Sequence, residues 1–216
     1  MGISFFKSFP TSPSPLAGLP AEGFGPQAGE GYLPDGRQGV RGEDLHMKLE
    51  KVIGEYLREM GWTLSIAESC TGGLISDRIT NVPGSSDYFE GGMVNYSNES
   101  KARHLVIPLD YIKRYGAVSP QVARKMAQGA RKAFDTTFGL STTGVAGPTG
   151  GTKRAPIGRV FIGLTNGRKT WVRKEDLKGS RRVIKEKTTE KALQFFYEIL
   201  IHSPGQNDPC RPRARR

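Results

Sequence analysis

The segment Ala67-Glu68-Ser69-Cys70-Thr71-Gly72-Gly73 sets a hydroxyl and a thiol among small polar residues, where a short apolar stretch hands over to a helical pattern. A serine at such a junction lies beside backbone N–H groups of a helix N-terminus, where negative charge is stabilised. It can attack a carbonyl carbon while the neighbouring amides hold the developing oxyanion. The bland alternative is that Ser69 and Thr71 only cap the helix and that the glycines let it pack closely. A serine hydroxyl is also a poor nucleophile until a base takes its proton. The three histidines, His46, His104 and His202, show no ligand spacing and no partnered carboxylate. A zinc site or a Ser-His-Asp triad would need more. Lysine is then the natural base, provided that burial or a nearby cation lowers its free pKa of ~10.4. Lys101 closes the segment Asn95-Tyr96-Ser97-Asn98-Glu99-Ser100-Lys101, which follows an expected core strand and so points back toward a pocket. Its position alone does not single it out, because most of the 32 lysines and arginines are expected in solvent. Cys70 is a rival nucleophile, but a thiolate needs an activating partner and none is evident.

Other devices drop out. No Gly-x-Ser-x-Gly elbow occurs. The loop Gly147-Pro148-Thr149-Gly150-Gly151-Thr152-Lys153 lacks the four-residue gap before Gly-Lys-Ser/Thr, and Arg154 follows the lysine, so it is not a Walker A loop.

The elements that must hold these residues follow from periodicity. Leu45, Leu49, Val52, Ile53, Tyr56, Leu57 and Met60 fall on one helical face, with Asp44 as cap and Gly61 as stop. A strand over Trp62–Ala67 leads into the serine segment and a helix from about Thr71 to Thr80. A strand over Phe89–Tyr96 precedes one or two short helices between Asn98 and Tyr115. Ser119-Pro120 opens a helix to about Phe134, with a capping serine and a proline in the first turn. Leu140–Thr143 reads as a buried strand that ends in the glycine-rich loop Gly144–Pro156. Strands over about 158–165 and 169–176 flank Asn166-Gly167, a strong hairpin signal. The closing helix runs from Ser180 to about Ile201. Strands alternating with helices, then a hairpin, predict an α/β domain on a mixed sheet.

Several motifs stand in order: Ala67–Gly73, Pro83-Gly84-Ser85-Ser86, Asn95–Lys101, Gly116-Ala117-Val118-Ser119, Thr143–Gly151, Pro156-Ile157-Gly158 and Gly179-Ser180-Arg181. Together they resemble the CinA C-terminal domain family, which includes the bacterial nicotinamide-nucleotide amidohydrolases. The likeness covers about residues 45–200. It implies a three-layer α/β/α sandwich and a serine–lysine hydrolase that converts nicotinamide mononucleotide to nicotinate mononucleotide and ammonia, with no metal and no cofactor. Ser69 matches the family's nucleophile, Lys101 its base, and Tyr96 a position near the base. The expected substrate contacts are Cys70, Thr71 and Gly72 through their amides at the helix start. Thr143, Gly144 and Gly147 join them from the glycine-rich loop, with Arg181 for the phosphate; the alternative for Arg181 is a plain surface residue. Ser100 replaces the usual alanine before the lysine. Thr143 and Thr149 stand where serine and often aspartate or glycine occur, which alters contacts with the nucleotide. Larger members carry an N-terminal pyrophosphatase-like domain, and this chain resembles the stand-alone version.

Composition sets the remaining bounds. The chain has 216 residues, of which 36% are apolar, enough for one domain plus tails. Residues 1–44 carry nine glycines and six prolines, and this stretch and the tail 202–216 are expected to be disordered. One domain is expected over 45–201. No apolar run of 18 residues exists, so no helical membrane span is expected, and the first 15 residues do not read as a signal peptide. Cys70 and Cys210 lie 140 positions apart, no disulfide framework, which fits a reducing cytoplasm. The net charge is +11, with +10 on residues 45–200. That charge suits a phosphorylated small molecule, or equally a solvated basic face. Nucleic acid is the less expected partner, since no nucleic-acid motif appears and aromatic residues do not cluster with basic ones. A homo-oligomer is allowed. The alternative function is a catalytically inactive family member that binds nucleic acid or a protein partner.

Overall fold

A computed structural model describes residues 49–201 of the protein. The expected disorder of 1–44 and 202–216, and the cap at Asp44, lie outside these residues. Six helices and five strands follow in the order α1 (Leu49–Met60), β1 (Leu64–Glu68), α2 (Leu74–Thr80), β2 (Phe89–Val94), α3 (Asn98–Leu105), α4 (Leu109–Tyr115), α5 (Pro120–Phe134), β3 (Phe138–Gly144), β4 (Arg159–Thr165), β5 (Thr170–Asp176) and α6 (Arg181–Ile201). A short 3-10 turn, Ser85–Asp87, precedes β2.

The sheet runs β2-β1-β3-β4-β5. β1 pairs in parallel with β2 on one side and β3 on the other, while β4 and β5 add antiparallel. β1 is buried along its whole length, as a central strand covered on both faces must be. One covering layer is α1, α2 and α6, where Ile53, Leu57, Ile75, Ile79, Leu193 and Phe196 pack on Leu64, Ile66, Leu140 and Ile162. The other is α3, α4 and α5, with Leu105, Ile112, Val122 and Met126 around Ala67. This is the expected three-layer sandwich. α5 lies close on the sheet because Gly139 has no side chain: a β-carbon there would stand 2.2 Å from the Ala127 carbonyl oxygen.

Ser119 caps α5 as expected, its Oγ accepting from the Val122 amide at 3.2 Å with Pro120 behind it. Several boundaries differ from the sequence reading, and β3 runs Phe138–Gly144 rather than Leu140–Thr143. β1 begins at Leu64 rather than Trp62, and β2 ends at Val94 rather than Tyr96. α2 begins at Leu74, not Thr71, because Gly72 (φ 64°) and Gly73 (φ 100°) take left-handed conformations that carry the chain through a turn first. The hairpin turn centres one residue past Asn166-Gly167: the Asn166 amide donates to the Lys169 carbonyl, with Gly167 and Arg168 between them.

The chain leaves β1 for β2 on one side and returns to β3 on the other. β1 is thus a topological switch point, and the crevice beyond the carboxyl ends of its neighbours is where open α/β sheets bind ligands. β1 and β2 end level, with Glu68 opposite both Val94 and Thr142, and β3 runs two residues further to Gly144.

Candidate active site

Each strand end delivers one wall of a cavity of about 250 Å³. Ser69 and Cys70 come from the end of β1, Tyr96 from the segment after β2, and Thr143, Gly144 and Gly147 from the end of β3 and its loop. Lys101 reaches in from α3 and Arg181 from the first residue of α6.

Ser69 is fixed from both sides. Its amide donates to the Thr142 carbonyl at 3.0 Å, continuing the β1–β3 ladder one residue past the strand. Behind it, Glu68 is wholly buried, and its carboxylate accepts from the amides of Gly73 (2.9 Å), Ile75 (3.2 Å) and Ser76 (2.9 Å) and from Ser76 Oγ (2.7 Å). A negative group across the first turn of α2 satisfies orphan N–H donors and suits the helix dipole. Glu68 therefore does the capping that the alternative reading gives to Ser69 and Thr71, which leaves the Ser69 hydroxyl available.

Lys101 is 1% exposed, and its Nζ lies 3.0 Å from Ser69 Oγ, 2.8 Å from the Asn95 carbonyl and 3.2 Å from the Tyr96 carbonyl. Burial, which disfavours the ammonium, lowers its pKa to about 8, against the smaller upward pull of Cys70 and Glu99. A neutral amine has two N–H groups and one lone pair. Main-chain carbonyls can only accept, so they take the two protons, and the lone pair is left for the third neighbour, the Ser69 hydroxyl. In that arrangement the amine can take the serine proton directly.

Cys70 is the opposite case. Burial, helped by the Glu68 carboxylate, pushes its thiol up to about 12. A thiol so protonated at neutral pH is no rival to Ser69.

Of the ten residues singled out in the sequence, eight line the cavity: Ser69, Cys70, Tyr96, Lys101, Thr143, Gly144, Gly147 and Arg181. Thr71 and Gly72 do not. Thr71 is buried with its hydroxyl 2.8 Å from Thr142 Oγ1, a tie between the turn after β1 and β3. Gly72 is exposed, and Lys185 Nζ stands 3.4 Å from the place of its absent β-carbon. Thr143 spends its hydroxyl proton on the Ala117 carbonyl at 2.8 Å. Tyr96 is 61% exposed, and its Oη accepts from Arg181 Nη2 at 2.6 Å. Arg181 Nη1 donates to the Gly147 carbonyl at 2.8 Å, so this guanidinium bridges two walls of the mouth.

Sequence reasoning missed Glu68 and the wall residues Ala117 and Val118, whereas Val145, Ala146, Thr149 and Gly150 lie in the glycine-rich loop it singles out. Ala117 and Val118 sit inside the Gly116–Ser119 motif, which was the available signal. Among the described residues, no three His, Cys, Asp or Glu side chains gather as a metal site. No described helix is long and apolar enough to cross a membrane.

The chain is similar to known proteins in sequence and in fold. The chain is 47% identical over 154 residues to a CinA-like protein of Dictyoglomus thermophilum, covering 71% of this chain and 38% of that protein. It is 46% identical over 153 residues to a CinA-like protein of Syntrophus aciditrophicus, covering 70% and 36%. The chain thus spans less than two fifths of the length of these curated relatives. Among solved structures, the competence/damage inducible protein CihA of Agrobacterium tumefaciens superposes with a TM-score of 0.69 at 31% identity, over 72% of this chain and 95% of that one. A competence or damage-inducible protein of Enterobacter asburiae gives 0.69 at 28% identity, over 72% and 98%. The family model described as CinA C-terminal domain matches residues 46–200, which is nearly all of the sandwich and every wall of its cavity, and the chain belongs to that family.

Proposed function

We propose that the protein is a serine–lysine amidohydrolase that converts nicotinamide mononucleotide to nicotinate mononucleotide and ammonia. The observation that carries this reading is the buried contact of Lys101 Nζ with Ser69 Oγ at 3.0 Å, on the wall of a cavity at the sheet's switch point. Neutral Lys101 takes the Ser69 proton as Oγ attacks the carboxamide carbon. The carbonyl π pair moves to oxygen and gives a tetrahedral oxyanion. In this reading the Cys70 amide, next to Ser69 on the cavity wall, is a donor for that charge; one such donor contributes about 3 kcal/mol. As the C–N bond breaks, Lys101 returns the proton to nitrogen and ammonia leaves. Water then attacks the acyl-serine, with Lys101 again taking a proton and giving it back to Ser69 Oγ.

The mononucleotide carries a phosphate, and the mouth of the cavity is cationic. Arg181 stands there with guanidinium N–H groups beyond the two already bonded. The glycine-rich wall from Gly144 to Gly150 presents main-chain groups to the ribose. A cytoplasmic setting belongs to the same reading. Ammonia release from the mononucleotide, by wild type and by Ser69→Ala, is the test. Release by wild type and none by the variant is expected. No release from any nicotinamide compound would leave the inactive, partner-binding reading.

A further inference from the structure

We propose that Asn95 is the positioning residue of the base: its main chain joins the nucleophile strand to Lys101, and its uncharged side chain holds α3 without adding charge to the amine's seat. The inference rests on Lys101 acting as the base.

Asn95 is 0% exposed and stands one residue past the end of β2. Its amide donates to the carbonyl of Glu68 at 2.7 Å, and Glu68 directly precedes Ser69. Its carbonyl accepts from Lys101 Nζ at 2.8 Å. One residue therefore touches the strand that carries the nucleophile and the nitrogen that carries the base. Its side chain then reaches the helix on which that base is mounted. Nδ2 lies 3.4 Å from the Ser100 carbonyl, 3.2 Å from Ser100 Oγ and 3.3 Å from His104 Nδ1. Ser100 and His104 flank Lys101 in α3, so the amide grips the turn from which the lysine departs.

The grip has a cost. Asn95 Oδ1 is buried with no hydrogen-bond partner among the described residues. A buried acceptor left unpaired is the kind of expense that native structures keep where a site requires it. An aspartate would satisfy the same shape, but it would set a carboxylate in the residue that seats Nζ. The groups already acting on Lys101 are Cys70 from the nucleophile turn and Glu99 from α3, both drawing its pKa upward. Tyr96 and Arg181 face it across the cavity, Glu68 acts on Cys70, and His104 stands behind Asn95. One more negative charge there would favour the ammonium and take the base out of action at neutral pH.

The test uses the full chain with ¹³C-labelled lysine, in which the Lys101 ε-carbon signal is assigned by its loss in Lys101→Met. Asn95→Asp should raise the midpoint of that signal from about 8 to roughly 9. The ammonia-release rate at pH 7 should fall about tenfold and recover at pH 10. Asn95→Ala should lower kcat about tenfold or more with KM within twofold, because a loosened base is misplaced rather than absent. An unchanged midpoint in Asn95→Asp, or a kcat within twofold of wild type in Asn95→Ala, overturns the proposal. The titration needs no turnover, so a wild type that releases no ammonia refutes the amidase reading and leaves this test in force.

Discussion

Replacing Lys101 by methionine should change how the stability of the protein depends on pH, and by an amount that follows from its burial. Lysine in the unfolded chain titrates near ~10.4. In the folded chain burial brings Lys101 to about 8. Between those values the unfolded state binds more protons than the folded one, so stability rises with pH across this window. Below pH 8 the folded state carries the whole cost of a lysine it would rather hold neutral, about 3 kcal/mol. Between pH 7 and 9.5 the wild type should recover about 2 kcal/mol of it relative to Lys101→Met, in which this titration is gone. The variant also loses the hydrogen bonds to the Asn95 and Tyr96 carbonyls. That loss offsets the two curves without changing their relative slope. Urea unfolding of both proteins at pH 7, 8, 9 and 9.5 measures the difference, which amounts to roughly 1 M in midpoint at an ordinary m-value. Stability curves that stay parallel within about 0.5 kcal/mol over this range would refute the argument that burial holds Lys101 neutral.

Four further outcomes are expected. Ser69→Ala and Lys101→Ala should each abolish ammonia release while near-UV circular dichroism stays that of wild type, and a residual rate above about a tenth in Ser69→Ala would refute the nucleophile. The wild-type rate should climb with pH through a midpoint near 8, set by burial of Lys101; a flat profile between pH 6.5 and 9 counts against it. Cys70→Ser should remain active, since its thiol, pushed up to about 12 by burial, supplies no thiolate. Arg181→Glu should raise KM for the mononucleotide at least tenfold more than for nicotinamide riboside, which lacks the phosphate. Equal losses on the two substrates would reduce Arg181 to its bridge between Gly147 and Tyr96.

The features legible in the sequence are those set by neighbours along the chain. Ser119-Pro120 announces α5 because cap and first-turn proline act within three residues. Ser69 and Lys101 stood out through motif order, although nothing local to Lys101 separates it from the other basic residues. The start of α2 was misplaced because its cap is Glu68, five to eight positions before the amides it holds, on the far side of a left-handed turn. Cap patterns look three residues ahead and do not see such a carboxylate. The sequence makes Thr71 an oxyanion residue, yet its hydroxyl partner, Thr142, lies 71 positions away on a strand whose register only the fold supplies. Ala117 and Val118 belong to a visible motif, but that they form a wall depends on α5 packing across β1, β3 and β4.

The place of β2 in the sheet has a consequence for how the protein fails. Among the described residues β2 is an edge strand whose one pairing partner is β1, and alternate residues along it are exposed. Edge elements with few buried contacts open at lower free energy than the strands they leave behind. Asn95, Tyr96 and Lys101 all follow β2, whereas Ser69 and its supports belong to the central strand. Fraying of that edge would separate base from nucleophile while β1, β3 and β4 remain paired. Warming should therefore silence the proposed ammonia release some degrees before the protein melts, with most of the sheet intact, and cooling should restore it without any need to refold the core.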